Sequence, residues 1–167
     1  MKMEHYIMID GKRIDLTEEQ IKILGLETEE KEDYFQRVGC NNYYYIKDNG
    51  KVIISFDKNH MADITRHEVG NYCTDVELLK QRALHETLNR LLWRFSMQND
   101  GDKIDWSNEE QRKFTIYYNS CTGNLLISRN YTYQHESGAY FYTEEIAQRA
   151  VDEIILPFVK EHPEFMW

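Results

Sequence analysis

The chain of 167 residues has no apolar run near the roughly 18 residues that a membrane-spanning helix needs. Its first residues, Met1 to His5, also lack the apolar core of a secretory signal. Cysteine is scarce: there are three, an odd number, and no two have the C-x-x-C spacing of a zinc site or redox motif. These absences exclude a disulfide framework and favour a cytoplasmic protein with free thiols and no membrane association.

Sequence motifs of catalysis and nucleotide binding are missing as well. G-x-G-x-x-G, G-x-x-x-x-G-K-[ST] and G-x-S-x-G do not occur. Acidic pairs stand where helices should begin, and there they interact favourably with the helix dipole without acid–base chemistry. Metal-ligand residue types do cluster at His60, Asp63, His67 and Glu68, in a segment predicted as loop and strand, where they do not share one helical face. We therefore predict no enzyme activity, no catalytic residue, no metal site and no cofactor.

The N-terminal residues 1–33 predict a small module of a hairpin and a helix. Asp10-Gly11 between alternating apolar residues is a strong hairpin signal. Thr17 and Gln20 form the pattern of a capping box, and Gly25 is placed to end the short helix. Such a module is too small to fold alone, so we expect it to pack on the rest of the chain.

The remainder of the chain carries an internal repeat. Residues 43–55 align with residues 116–128, and the turn glycines Gly50 and Gly123 match. Downstream, His-Glu-x-Gly recurs at residues 67–70 and 135–138, followed by matching apolar positions of a helix. The predicted fold is α+β: tandem β-β-β-α units at residues 34–97 and 98–167, joined with the N-terminal module in one compact body.

The helix of the first unit has the clearest pattern. Apolar residues recur at i, i+3 and i+4 from Val76 to Phe95, and Thr74 or Asp75 can cap the start. The helix of the second unit begins near Thr143. Pro157 should break or kink it, because proline lacks the amide donor and clashes one turn back.

The net charge of −9 is distributed unevenly and indicates the kind of partner. Residues 98–167 carry six basic and twelve acidic side chains, whereas residues 34–97 carry nine and seven. An acidic surface favours docking on a basic groove of another protein, with a buried aromatic residue as an anchor. The candidate protein-binding residues are Asp100, Asp102, Asp105, Trp106, Glu109 and Glu110.

The alternative is a nucleic-acid-binding module that uses an aromatic three-stranded sheet. Exposed tyrosines can stack on unpaired bases, and neighbouring cations can contact phosphates. In this interpretation Tyr43 or Tyr45 stacks, and the phosphate contacts come from Lys47, Lys51, Lys58 and Arg66.

Several short stretches together resemble one group of proteins. They are Asp10-Gly-Lys-Arg-Ile-Asp-Leu-Thr-Glu-Glu-Gln-Ile-Lys, Tyr43-Tyr-Tyr-Ile, Val69-Gly-Asn-Tyr72, Ile104-Asp-Trp and Ala139-Tyr-Phe-Tyr-Thr-Glu-Glu-Ile-Ala147. In this order they resemble small accessory proteins encoded by prophages and mobile elements of Firmicutes. The resemblance implies a non-enzymatic phage protein whose partner is a host or defence protein, such as a CRISPR nuclease that it inhibits.

Overall fold

The computed structural model describes residues 6–9, 11–24, 33–130 and 138–167, and its helices and small antiparallel sheets form an α+β fold. The predicted fold class is confirmed. By its internal contacts the chain divides into two compact units, Met1–Tyr34 and Phe35–Trp167.

The first unit contains a hairpin and a helix. Strands β1 (Tyr6–Ile9) and β2 (Lys12–Asp15) pair antiparallel, and helix α1 spans Glu18–Ile23. The predicted capping box is confirmed: Gln20 N donates to Thr17 Oγ1 at 3.3 Å, and Thr17 N donates to Gln20 Oε1 at 2.9 Å. The predicted turn residue Asp10 and the helix stop at Gly25 lie outside the described residues.

The second unit is built from two hairpins and four helices within the described residues. In chain order these are β3 (Asn42–Ile46), β4 (Val52–Phe56), α2 (Met61–Glu68), α3 (Val76–Gln98), β5 (Lys113–Asn119), β6 (Asn124–Asn130), α4 (Glu144–Ala150) and α5 (Leu156–Glu161). β3 pairs with β4, and β5 pairs with β6, both antiparallel. In the ranges described, no helix is both long and apolar enough to cross a membrane.

Helix α3 supplies the main apolar face of the core. Asp75 caps it, accepting hydrogen bonds at Oδ1 from Glu77 N and Leu78 N at 2.8 and 3.0 Å. Its stripe packs against the second hairpin and against α4 and α5, and burying each large side chain contributes about 1.5–3 kcal/mol. Residues 34–97 and 98–167 therefore share one core, formed by Leu88, Leu92, Phe95, Phe114, Phe141, Ala147, Ala150, Val151, Ile155, Phe158 and Phe165.

The repeated β-β-β-α units are not confirmed. Among the described residues, a single antiparallel bridge stands where each third strand was predicted, Tyr44 to Cys73 in the first unit and Phe114 to Phe141 in the second. The segment predicted as loop and strand before Gly70 is helix α2, so that prediction is wrong. The residues that would correspond to α2 in the second half, 131–137, lie outside the described part of the chain.

The two turn glycines do share a backbone conformation. Gly50 and Gly123 have φ of +80° and +70°, in the left-handed region that glycine adopts without strain. Their loops nevertheless differ in length. Lys47 N donates to Lys51 O at 2.9 Å across the first turn, whereas Asn119 pairs with Asn124 across the second.

Pro157 widens its helix without ending it. Residues Val151–Ile155 form a π-helical turn between α4 and α5, and Leu156 N donates to Val151 O, five residues back. A wider turn moves the preceding carbonyls away from the proline ring, which would otherwise clash with the carbonyl one turn earlier. The helix continues to Glu161, so the predicted break is absent and the irregularity lies one turn before the proline.

Candidate binding surface

The second half of helix α3 and the turn of the first hairpin form an open groove of about 400 Å³. Gly50 lets the turn approach the helix closely: a Cβ at this position would lie 2.9 Å from Thr87 Oγ1 and 3.8 Å from Arg90 Nη2. The turn forms one wall and the helix the other. The residues lining the groove are Asp48, Asn49, Thr87, Arg90, Leu91, Trp93 and Arg94.

Three side chains on the helix dominate this groove. Trp93 is 59% exposed, although tryptophan is usually well covered in a folded protein. Arg90 and Arg94 lie one helical turn apart, flank it and are exposed. Neither guanidinium has a hydrogen bond or ion pair within the ranges that the structure describes. Both are therefore free to bind an anion.

Other basic residues of α3 differ from this pair. Lys80 Nζ lies 2.7 Å from Glu77 Oε1, and Arg82 Nε lies 2.8 Å from Glu86 Oε1. Exposed ion pairs of this kind contribute about 0.2–1 kcal/mol each. Glu86, four residues before Arg90, is already paired with Arg82, and from Thr87 to Gln98 the helix has no acidic residue.

Lys47 and Lys51 flank the turn that forms the other wall. Both are exposed, and neither side chain has a polar partner in the described part of the chain. Asp48 is the one acidic residue among those lining the groove. Two guanidinium groups and one carboxylate thus line the groove, which is locally positive in a protein of net charge −9.

The tyrosine strand β3 has an internal role. Tyr43 is fully buried, its ring stacks on Tyr72 at 4.1 Å between centroids, and its hydroxyl donates to Asp63 Oδ1 at 2.7 Å. Arg66 Nη1 donates to the Tyr43 hydroxyl at 2.7 Å, and its guanidinium carbon lies 3.8 Å from the centroid of the Tyr45 ring. The proposed stacking role of Tyr43 is wrong, because no base can reach a buried ring. Arg66 is likewise engaged within the protein, whereas Lys58 is exposed.

A second buried carboxylate, Asp57, lies in the same network. It accepts from Arg37 Nε at 2.9 Å and Nη2 at 2.7 Å, from Asn59 N at 2.8 Å and from the Tyr72 hydroxyl at 3.1 Å. The hydrogen bonds from Arg37 lower the pKa of Asp57 to about 2. The pKa of Asp63 is also lowered, chiefly by the hydroxyl of Tyr43. Because every carboxylate oxygen has donors, this network holds β3, the segment after β4 and α2 together.

The histidine-containing cluster lies at α2. His60 immediately precedes the helix, and Asp63 Oδ2 accepts from His60 N at 3.0 Å and from Lys58 N at 3.1 Å. His67 packs edge-on against the ring of Tyr72. Within the described ranges no group of three or more histidine, cysteine, aspartate or glutamate side chains is arranged to hold a metal ion.

The acidic candidate residues lie in the segment after α3. Asp100 Oδ1 is 2.9 Å from Lys103 Nζ, and Asp105 accepts at Oδ1 from the hydroxyl and backbone nitrogen of Ser107, which lowers its pKa. Trp106 is half-buried and packs edge-on against Tyr140 at 4.9 Å. It therefore anchors the segment to its own protein. Asp102, Glu109 and Glu110 are exposed.

Lys113 contacts this segment through its side chain. Its side chain is fully buried, and Nζ donates to the carbonyls of Asn108 and Gln111 at 2.9 and 3.2 Å. The cation thus holds the loop through two backbone carbonyls, and beside the hydrogen bonds from Ser107 its charge helps to lower the pKa of Asp105.

The groove residues Arg90, Trp93 and Arg94 escape a search for motifs. What distinguishes them in the sequence is their position, because all three lie off the apolar stripe of α3. Helical periodicity alone therefore places a tryptophan on the solvent-facing side of this helix. The sequence does not show that the turn at Asn49, distant along the chain, lies beside this side of the helix.

No protein-family model, curated protein or solved structure matches this chain. The case for a function therefore rests on the residues and contacts above.

Proposed function

We propose that this chain is a non-catalytic binding protein that holds another macromolecule in the groove between α3 and the turn of the first hairpin. The observation that carries the proposal is the exposed indole of Trp93 in one groove with two guanidinium groups that have no partner in the described structure. Tryptophan and arginine are the residues most enriched at the energetic centres of interfaces. Bringing a partner onto Trp93 would remove apolar surface from water and pair both charges.

The resemblance to prophage accessory proteins supports the biological side of this proposal. In this proposal the chain is encoded by a phage or mobile element, acts in the cytoplasm of the host and inhibits a defence protein by binding to it. Inhibition by occupation requires only an exposed surface.

The exposed acidic segment from Asp100 to Glu110 is a second candidate contact. Its side chains Asp102, Glu109 and Glu110 are exposed. A basic groove of a nucleic-acid enzyme would complement that surface, because opposite potentials speed encounter and favour docking.

The proposal is tested by affinity capture from a host lysate, with and without nuclease treatment, followed by identification of the protein and nucleic acid retained. The bait is compared with a triple variant, Arg90→Ala/Trp93→Ala/Arg94→Ala. Arg112→Ala is the matched control, because Arg112 is exposed, has no partner within the described ranges and does not line the groove.

We expect the wild type and Arg112→Ala to retain the same macromolecule and the triple variant to lose it. All three substituted side chains are exposed, so the variant should keep its fold, which circular dichroism checks. Equal retention by the triple variant would contradict the proposal. If that retention disappears with Asp102→Asn/Glu109→Gln/Glu110→Gln, the acidic segment is the contact instead.

A further inference from the structure

We propose, as a step that rests on the function above, that the groove binds single-stranded nucleic acid, with a base stacked on Trp93 and phosphates at Arg90 and Arg94. No base contact of defined sequence is required.

The charges match a phosphate backbone. A guanidinium presents a planar set of donors that binds phosphate oxygens in pairs, and it stays protonated at any working pH. Arg90 and Arg94 project from one helix face a single turn apart. Lys47 and Lys51 are exposed on either side of the turn that forms the other wall.

The ring and the volume match a base. An exposed indole offers a flat π surface, which every base can stack on. Leu91 and Trp93 give the groove an apolar floor, and about 400 Å³ is at the small end of the range of ligand pockets. The Thr87 hydroxyl already donates to Ala83 O at 2.8 Å. The groove therefore offers stacking with little hydrogen-bonding readout, as sequence-tolerant single-strand binding requires.

An acidic protein segment fits this groove less well. Strand addition and helix docking need an open strand edge or an extended apolar channel, and recognition of an acidic motif by arginines makes no use of the exposed ring of Trp93. Here one wall is a helix, whose backbone is bonded internally. The other is a turn in which Lys47 N and Gly50 N donate to backbone carbonyls and Lys51 N donates to Asn49 Oδ1. No row of free amides and carbonyls faces the groove for a peptide to pair with.

The net charge of −9 sets the expected strength. Long-range repulsion opposes any polyanion, nucleic acid or acidic protein alike, so it does not favour one over the other. It does predict weak binding, whereas a fall of affinity with salt comes from the counterions that the phosphate contacts release. Removing the single carboxylate of the groove, Asp48, should then tighten binding.

The experiment uses a fluorescently labelled oligothymidylate of about eight nucleotides, within the usual range of single-strand site sizes. Binding to the full chain is measured by fluorescence anisotropy at several salt concentrations. Trp93→Ala should weaken binding roughly 5- to 150-fold, the loss of one base stack, and Trp93→Phe should retain part of it. Arg90→Ala/Arg94→Ala should reduce the log–log salt slope by about 1.4, or about 0.7 for each contact.

Two further variants separate a local effect from a change of net charge. Asp48→Asn should tighten binding, whereas Arg112→Ala, which removes a cation elsewhere, should leave the affinity within about twofold. If Arg112→Ala lost as much affinity as Arg90→Ala/Arg94→Ala, the effect of charge would be diffuse and the inference would be overturned.

Three competing ligands complete the test. Equal affinity for duplex DNA, independent of Trp93, excludes stacking on an unpaired base. Thymidine monophosphate binding as tightly as the oligomer would show a nucleotide site instead. Polyglutamate binding with the same dependence on Arg90 and Trp93 would assign the groove to an acidic protein. If no oligomer binds at low salt but the triple variant still loses its partner from lysate, this inference fails and the proposed function stands.

Discussion

Replacing Asp57 by asparagine should destabilise the protein strongly, although the side chain keeps its size. The carboxylate is fully buried and accepts four hydrogen bonds, two of them from Arg37. The amide of asparagine removes the charge, and its NH2 group would face other hydrogen-bond donors in place of an acceptor. Breaking a buried ion pair costs about 3–5 kcal/mol. Because the Arg37 side chain is 27% exposed and can regain water, we expect about 3 kcal/mol.

The pH dependence of the loss identifies its cause. The pKa of Asp57 is lowered from 3.8 to about 2 in the folded protein, so its ionised form favours folding. That contribution is complete above the unfolded-state value of 3.8 and is lost as the pH falls through the folded value. The stability difference between wild type and Asp57→Asn should therefore shrink between about pH 4 and pH 2.

Urea unfolding followed by circular dichroism at pH 7, and at intervals down to pH 2, measures both effects. A loss of 3 kcal/mol corresponds to a melting temperature lower by roughly 6–12 °C for a protein of this size. Asp102→Asn is the matched control, because Asp102 is exposed, and it should change stability by less than about 0.5 kcal/mol. A loss below about 1 kcal/mol for Asp57→Asn, or a difference that is constant with pH, would refute this reasoning.

Three other predictions concern the same unit. Tyr43→Phe should lower the free energy of unfolding by about 2 kcal/mol, because the Tyr43 hydroxyl makes hydrogen bonds with two charged groups. Tyr45→Phe should change this free energy little, and equal losses for the two variants would contradict the hydrogen-bond network. Gly123→Ala should cost about 1–2 kcal/mol, the strain of a left-handed alanine. Gly50→Ala should destabilise the protein more, because its new Cβ would also contact helix α3. Urea titration compares the two variants, and a larger loss for Gly123→Ala would contradict the contact at Gly50. Burial raises the pKa of the Cys73 thiol, so a thiol reagent should modify the other two cysteines in the folded protein and Cys73 only on unfolding. Three fast-reacting thiols would contradict that burial.

Local elements followed from the sequence because their causes are local. The capping box of Thr17 and Gln20, the cap of α3 at Asp75 and the left-handed turn at Gly50 each depend on residues within one turn of the chain. The apolar stripe of α3 likewise follows from periodicity, and its central positions are buried as expected.

Other features required the tertiary structure. Alternation along β3 does not tell which tyrosines face inward, and Tyr43 is buried because Tyr72 and Asp63 meet it from elsewhere. The short helix α2 was wrongly predicted as loop and strand, because Asp63 is held by the distant Tyr43 as well as by its own helix start.

For the candidate site, sequence alone determined the ingredients: the charge of each third of the chain, a tryptophan and two arginines on the polar side of α3, and lysines beside a glycine turn. Their assembly depended on tertiary packing. The turn at Gly50 approaches α3 because both elements belong to one packed unit, and only that contact turns Arg90, Trp93 and Arg94 into the wall of a groove. The same packing turned Trp106 and Lys113 inward, because burying an indole and bonding two loop carbonyls stabilises the segment that contains them.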